Sequence, residues 1–448
     1  MSRNTFATEE ALLDHLIRYG REAGADDVEI ELASHREFSV EVRLGEIERL
    51  VEAGSRGVYI RVTVGQRVTL TRSSDLSRDV LETLVKRAVE RAALGSKDPY
   101  AGPPEEFGEP VPSEQLDLFD PSVLELSAER KIEMALEVED IALKGDSRIS
   151  NSLGSWMSTA QGHVWFANSR GVSGQYRATL ASVGVGLQAG DTNERVEEFW
   201  WSNARHLEDL EDLEAVAQTA VERTVRQLGA RKLPTTRTAV IFEPRMTGQL
   251  LAFLASCVNG MAVYRQRSCL ADKLGQKVVG ENIHVVDDAL LPRGLGSRPF
   301  DSEGVATRRL DVVRGGVLQS YLLNAYSARR LGLKTTGHAS GQGVSVHNFY
   351  LEPGALNPEE IVRSTDRGLL LTRTIGHGTN PTTGELSKGA YGLWIEGGEI
   401  AYPVAEITIA GNLLDLLSRV DAIGNDLEFR SPIAGPTIRV QDVVVGGR

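Results

Sequence analysis

The stretch from Gly95 to Pro121 constrains the architecture most, because it carries Pro99, Pro103, Pro104, Pro110 and Pro112 among glycines and acidic residues. Proline fixes φ and withdraws a backbone donor, so no regular element is expected to run through this segment. The 448 residues therefore cannot share one continuous core, and at roughly 150 residues per domain two or three packed units are expected. The expected division is an N-terminal α+β unit at 1–95, a Pro-rich acidic linker at 96–122, a second α+β unit at 123–231 and a β-rich unit at 232–448.

Periodicity fills in the units. Thr8 can cap a helix with Leu12, Leu13, Leu16 and Ile17 on one face and Gly24 as its stop. Val28, Ile30 and Leu32, then Phe38, Val40 and Val42, then Val58, Ile60, Val62 and Val64 alternate with polar residues, which predicts three antiparallel strands with one wet face. A helix is predicted over Asp75–Leu94. The second unit repeats the theme, with a helix near Ala128–Leu143, strands from about Ser158 to Gln188 and a helix over Leu207–Leu228. AGSRGV at Ala53–Val58 recurs as ANSRGV at Ala167–Val172, which either marks an internal duplication or places Gly57 and Gly171 in two similar turns. In the third unit, Gly315-Gly316 between two apolar runs predicts a hairpin, because glycine accepts the mirror-image turn that twisted strands require. Tyr391–Glu396, Glu399–Tyr402 and Glu406–Ala410 continue the alternation around Gly397-Gly398. The fold class expected is α+β, with helix–meander–helix units followed by a mainly antiparallel β, barrel- or sandwich-like C-terminal domain.

Hydrophobic content of 41% and charged content of 25% are those of a packed protein. A net charge of -13 opposes a phosphate backbone, and no basic cluster offsets it, so nucleic acid is not expected as a partner. No window reaches the roughly 20 apolar residues of a membrane span, and the first residues lack a basic leader with an apolar core. Cys257 and Cys269 are too few for a disulfide framework and fit a reducing compartment, as small buried thiols. A cytoplasmic location is expected.

Candidate chemistry is sparse. Asp301, Ser302 and Glu303 could be read as a serine flanked by acids, but no base or G-x-S-x-G elbow accompanies them, so a polar turn closed by Gly304 is expected. His338 and His347 flank a glycine-rich loop, GHASGQGVSVHN. They could orient a peptide carbonyl or hold a metal, or be hydrogen-bonded structural histidines, which is the reading we favour; His377 is treated alike. The helix expected over Pro244–Val258 reads as core through Leu250, Leu251, Phe253 and Leu254.

The run PFDSEGVATRRLDVVRGGVLQSYLLNAYSARRLGLKTTGH at Pro299–His338 and the run GAYGLWIEGGEIAYPVAEITIAGNL from Gly389 resemble the TldD/PmbA family of zinc peptidases, the TldE (PmbA) branch more than the TldD branch. The resemblance implies that active TldD-type members carry an H-E-x-x-x-H helix and a further cysteine ligand. The matching helix positions here hold Leu251, Ala252 and Ser256, and the region GNDLEFRSPIAGPTIRV from Gly424 holds no cysteine. No catalytic residue, no metal ligand and no cofactor is therefore expected in this chain. The resemblance implies zinc in a TldD-like partner, a heterodimer or else a homodimer, peptide substrates, and an indirect link to the name modulator of DNA gyrase. Two alternatives remain: a non-proteolytic scaffold, and an independent hydrolase with a metal on His338, His347 or a cysteine.

Overall fold

The computed structural model describes residues 6–191 and 194–447. Helix Glu9–Glu22 starts where expected: the Thr8 hydroxyl accepts from the Ala11 N–H, and Leu12, Leu13 and Leu16 are buried. Strands β1 (Asp27–Arg43), β2 (Glu46–Val64) and β3 (Arg67–Ser73) and helix Arg78–Leu94 follow. The expected break between Leu32 and Phe38 does not occur. No glycine, proline, asparagine or aspartate lies between Ala33 and Glu37, and both apolar runs fall on even positions, so one strand carries both.

The second unit repeats this order with helix Ala128–Lys144, strands β4 (Ile149–Asn168), β5 (Ser173–Ala189) and β6 (Val196–Ala204), and helix Leu213–Val225. The two meanders join into one antiparallel sheet of order β3-β2-β1-β4-β5-β6. The architecture is thus that of a repeat, but the repeated phrase does not mark it. Gly57 lies inside β2 opposite Ala33, whereas Gly171 sits in the β4–β5 turn at φ 84°.

The four helices cover one face of the sheet in two apolar clusters. Val28, Ile30 and Leu32 pack under the first helix pair, and Phe38, Val40 and Val42 under the second. Each fully buried aliphatic contributes about 1.5–3 kcal/mol. The opposite face is wet only in part: Glu37 and Glu41 are exposed as alternation predicts, whereas Glu29 is only 5% exposed, because the C-terminal unit covers that end of the strand.

The linker is also more ordered than its prolines imply. Ser113–Leu116 makes one helical turn, Leu116 and Leu118 are buried, and the Phe107 carbonyl accepts from the Ala306 N–H at 2.7 Å. Lost backbone donors are replaced by side chains: Arg329 donates to the carbonyls of Tyr100 and Gly102 at 3.0 Å each.

In the C-terminal unit, strands β7 (Thr236–Phe242), Arg367–Ile375, Glu385–Glu396, Glu399–Asn412 and Ile438–Gly446 close into a five-stranded barrel. All its pairings are antiparallel except that between β7 and Arg367–Ile375. The Gly397-Gly398 turn, at φ 60° and 79°, is the one expected. A second sheet contains β8 (Val285–Asp288), β9 (Arg309–Arg314), Phe349–Leu351 and two further short strands. The expected hairpin forms at Gly315-Gly316, with its second arm shortened to Val317–Leu318. Helix Pro244–Val258 packs in the apolar cluster that joins barrel and second sheet. Among the described residues no helix is long and apolar enough to cross a membrane.

Candidate functional site

The covered face of the six-stranded sheet meets the segment Pro299–Gly341. Phe300 packs on Phe166 and Tyr176, with ring centroids 6.0 and 5.3 Å apart. The Glu29 and Arg61 side chains, cross-strand partners in the β1–β2 register, reach Glu303. Arg61 stands 3.4 Å from Glu29 and 3.5 Å from Glu303 and donates to the Gly341 carbonyl at 3.0 Å. Burial pushes the Glu29 carboxyl up to about 7, with Arg61 opposing and Glu303 adding to the rise.

Asp301, Ser302 and Glu303 form the expected turn. The Asp301 carboxylate accepts from the N–H groups of Glu303, Val305 and Ala339 at 2.9, 3.0 and 2.9 Å, while Gly304 closes it at φ 77°. The Ser302 hydroxyl accepts from the Gly341 N–H at 2.8 Å, and Glu303 accepts from the Ala325 N–H at 2.8 Å. These side chains hold the loop after His338 and the start of helix Ala325–Leu331 in place. None of these bonds gives Ser302 a general base.

His338 and His347 are brought together on Asp287, a residue that sequence reasoning missed. Asp287 lies on β8, and its carboxylate accepts from the His347 N–H at 3.0 and 3.1 Å. His338 Nε2 stands 3.4 Å from Asp287 Oδ2 and His347 Nδ1 3.6 Å from Oδ1, with the rings 4.5 Å apart. All three residues are at most 1% exposed. Burial depresses the proton affinity of His347 to about 4. Burial raises that of Asp287, but the two imidazoles outweigh it and hold the carboxyl below the usual range. The only sequence signal for Asp287 was an Asp-Asp pair ending an apolar strand, VVDD, all four of whose residues are buried. His377 is exposed and lies outside this cluster.

Helix Pro244–Val258 offers a metal nothing. Leu251 is fully buried in the apolar cluster, Ala252 has no donor atom, and the Ser256 hydroxyl is turned back on the Phe253 carbonyl at 2.6 Å. The residues present do not fit an H-E-x-x-x-H zinc. Cys257 and Cys269 approach each other near the Pro381 carbonyl, which lies 3.8 Å from Cys257 Sγ and accepts from the Cys269 N–H at 2.7 Å. A hydrogen bond from Cys257 pulls the Cys269 thiol down and pushes the Cys257 thiol up. Among the described residues no imidazole or carboxylate completes a ligand set with them; Asp287, His338 and His347 are the one cluster of metal-ligating groups.

Family models match nearly the whole chain: PmbA/TldA metallopeptidase domain 1 over residues 28–92, the central domain over 121–228 and the C-terminal domain over 235–447. The chain belongs to the PmbA/TldD family. It is 35% identical over 425 residues to Metalloprotease PmbA of Escherichia coli O157:H7, covering 95% of this chain and 93% of that protein. It is 33% identical over 440 residues to the Metalloprotease PmbA homolog of Haemophilus influenzae, covering 96% and 94%. A solved Bacteroides thetaiotaomicron structure described as a modulator of DNA gyrase superposes with a TM-score of 0.90 at 27% identity over 99% of this chain and 100% of that one. TldE from Thermococcus kodakarensis shares the fold, with a TM-score of 0.86 at 22% identity over 98% and 100%. The PmbA/TldD family is named for a metallopeptidase, yet the helix that the resemblance assigns to zinc is apolar here.

Proposed function

We propose that this chain is a PmbA/TldE-like subunit of a cytoplasmic metalloprotease complex, non-catalytic itself, that helps enclose and align peptides for a zinc-bearing TldD-type partner. The observation that carries this reading is the helix Pro244–Val258, whose Leu251, Ala252 and Ser256 can neither ligate zinc nor take a proton. An unpaired strand edge supports the enclosing role. β3 pairs only with Val58–Val64 of β2, so Glu46–Gly57 has β1 on one side and no strand on the other among the described residues. Ile47 and Leu50 on that stretch are about half exposed. Such an edge can take an extended peptide or a partner's strand by main-chain hydrogen bonds, independently of sequence.

The test is coexpression with the TldD-type chain of the same genome, followed by peptidase assays on the purified complex. The expected result is copurification, with turnover abolished by replacing the partner's zinc-ligating histidines and unchanged by Ser256→Ala in this chain. Peptide hydrolysis by this chain alone, undiminished in the partner's absence, would overturn the reading.

A further inference from the structure

The buried Asp287–His338–His347 cluster is chemically incomplete. His338 Nδ1 lies 2.9 Å from the Thr336 carbonyl, which can only accept, so Nδ1 carries the proton and the neutral ring turns the lone pair of Nε2 toward the Asp287 carboxylate. That nitrogen and His347 Nδ1 have no hydrogen-bond partner. A lone pair facing a buried carboxylate is repulsive, and an unmet buried polar atom costs about 1–3 kcal/mol. A proton on His338 relieves one of the two nitrogens at most, since 3.4 and 3.6 Å are long for hydrogen bonds. A cation relieves both and neutralises Asp287 as well.

The spacing fits such an ion. Ligand bonds of about 2.0–2.2 Å in a tetrahedron give edges of about 3.3–3.6 Å, and the two nitrogen–oxygen separations are 3.4 and 3.6 Å. All three ligand atoms lie within 4.8 Å of one another. The Thr336 carbonyl fixes the tautomer of His338 from outside, the arrangement that orients ligating histidines in metal sites.

We propose that Asp287, His338 and His347 bind one divalent cation of zinc-like preference, a structural site separate from helix Pro244–Val258. Imidazole suits first-row ions such as Zn²⁺ and Co²⁺ over Mg²⁺ or Ca²⁺. The ion ties β8 to both ends of the loop His338–His347, and through Ala339 and Gly341 to the Asp301–Glu303 turn. With the ligands at most 1% exposed, the site fastens the fold and offers no room for a substrate. The proposal revises the expectation that this chain holds no metal, and it stands whether or not a TldD-type partner performs the peptidase chemistry.

The test uses the full chain stripped by a chelator and titrated with Co²⁺ and then Zn²⁺, alone and in competition with Mg²⁺. Wild type is expected to bind one Co²⁺ per chain with the visible absorption of a four-coordinate nitrogen and oxygen site. No sulfur charge-transfer band is expected, and Zn²⁺ should displace the Co²⁺. His338→Ala and His347→Ala should weaken binding by more than about 100-fold, beyond what an outer contact achieves, while Cys257→Ser and Cys269→Ser leave it unchanged. If the histidine variants do not fold, the wild-type spectrum decides alone. Absence of saturable binding, a thiolate band, or affinity unchanged in folded histidine variants would each overturn the site.

Discussion

Two clusters of buried charge meet at the loop after His338, and they are completed by different means. The Glu29–Arg61–Glu303 cluster carries its own cation: one guanidinium lies within 3.5 Å of both carboxylates, and burial raises Glu29 far enough for part of its charge to be held as a proton. The Asp287–His338–His347 cluster has a buried carboxylate facing two imidazole nitrogens without partners. The first draws its cation from the fold, because Arg61 comes from the same sheet as Glu29, although one Glu29 oxygen has no hydrogen-bond partner. The second is finished only when something positive enters. The contrast separates a structural ion pair from a binding site without appeal to sequence motifs.

The largest expected effect comes from removing the cation of the first cluster. Arg61→Met should cost about 3–5 kcal/mol above neutral pH, because it strands buried carboxylates without a partner; the loss should shrink as pH falls through about 7 and Glu29 takes up its proton. Chemical denaturation at pH 5 and pH 8 measures both, and a cost under 1 kcal/mol at pH 8 would erase the distinction between the clusters. Glu29→Gln should change how stability depends on pH. The folded pKa is raised from the ordinary value to about 7, so the native state binds the extra proton and Glu29 makes stability fall as pH rises from about 4.5 through 7. The fall is on the order of 3 kcal/mol, and the difference between wild type and variant should carry that slope. A flat difference would mean that Arg61 alone neutralises the site.

A smaller loss, roughly 1–3 kcal/mol, is expected for Gly304→Ala. Its φ of 77° disfavours a side chain, and a Cβ there meets the Phe166 ring. Because this turn links the two clusters, the substitution should also weaken Co²⁺ binding; unaltered binding would show them to be independent. The smallest effect, within about 0.5 kcal/mol, belongs to Ser256→Ala on the apolar helix. That variant should leave the bound metal unchanged, which sharpens the contrast between the helix and the Asp287 site.

The elements were legible wherever period and turn chemistry agreed. Thr8 as a cap, the Gly315-Gly316 and Gly397-Gly398 hairpins and the apolar stripe of helix Pro244–Val258 need only local rules. The Asp301 turn was legible for the same reason, its bonds to Glu303 and Val305 being local. What escaped depended on contacts far apart in sequence. Glu29 looks like a solvent residue in the alternation of β1, and only the arrival of Phe300 and Glu303 buries that end of the polar face, while Glu37 and Glu41 stay exposed. The prolines of the linker show only that no regular element runs through it, and nothing local shows that Arg329 holds the carbonyls of Tyr100 and Gly102. Asp287 was missed because 51 residues separate it from His338 and 60 from His347, as the residue numbers give. Sequence spacing marks metal ligands only when they share one helix or one loop.

The proposed function is a division of labour, with peptide held in part by this chain and zinc chemistry performed by a TldD-type partner. The most direct test is to add this chain stepwise to a fixed amount of the zinc-loaded partner and follow peptidase turnover. Little turnover is expected from either chain alone, with a rise that saturates at a one-to-one ratio. Full turnover from the partner alone, or turnover that grows with this chain past equivalence, would contradict it.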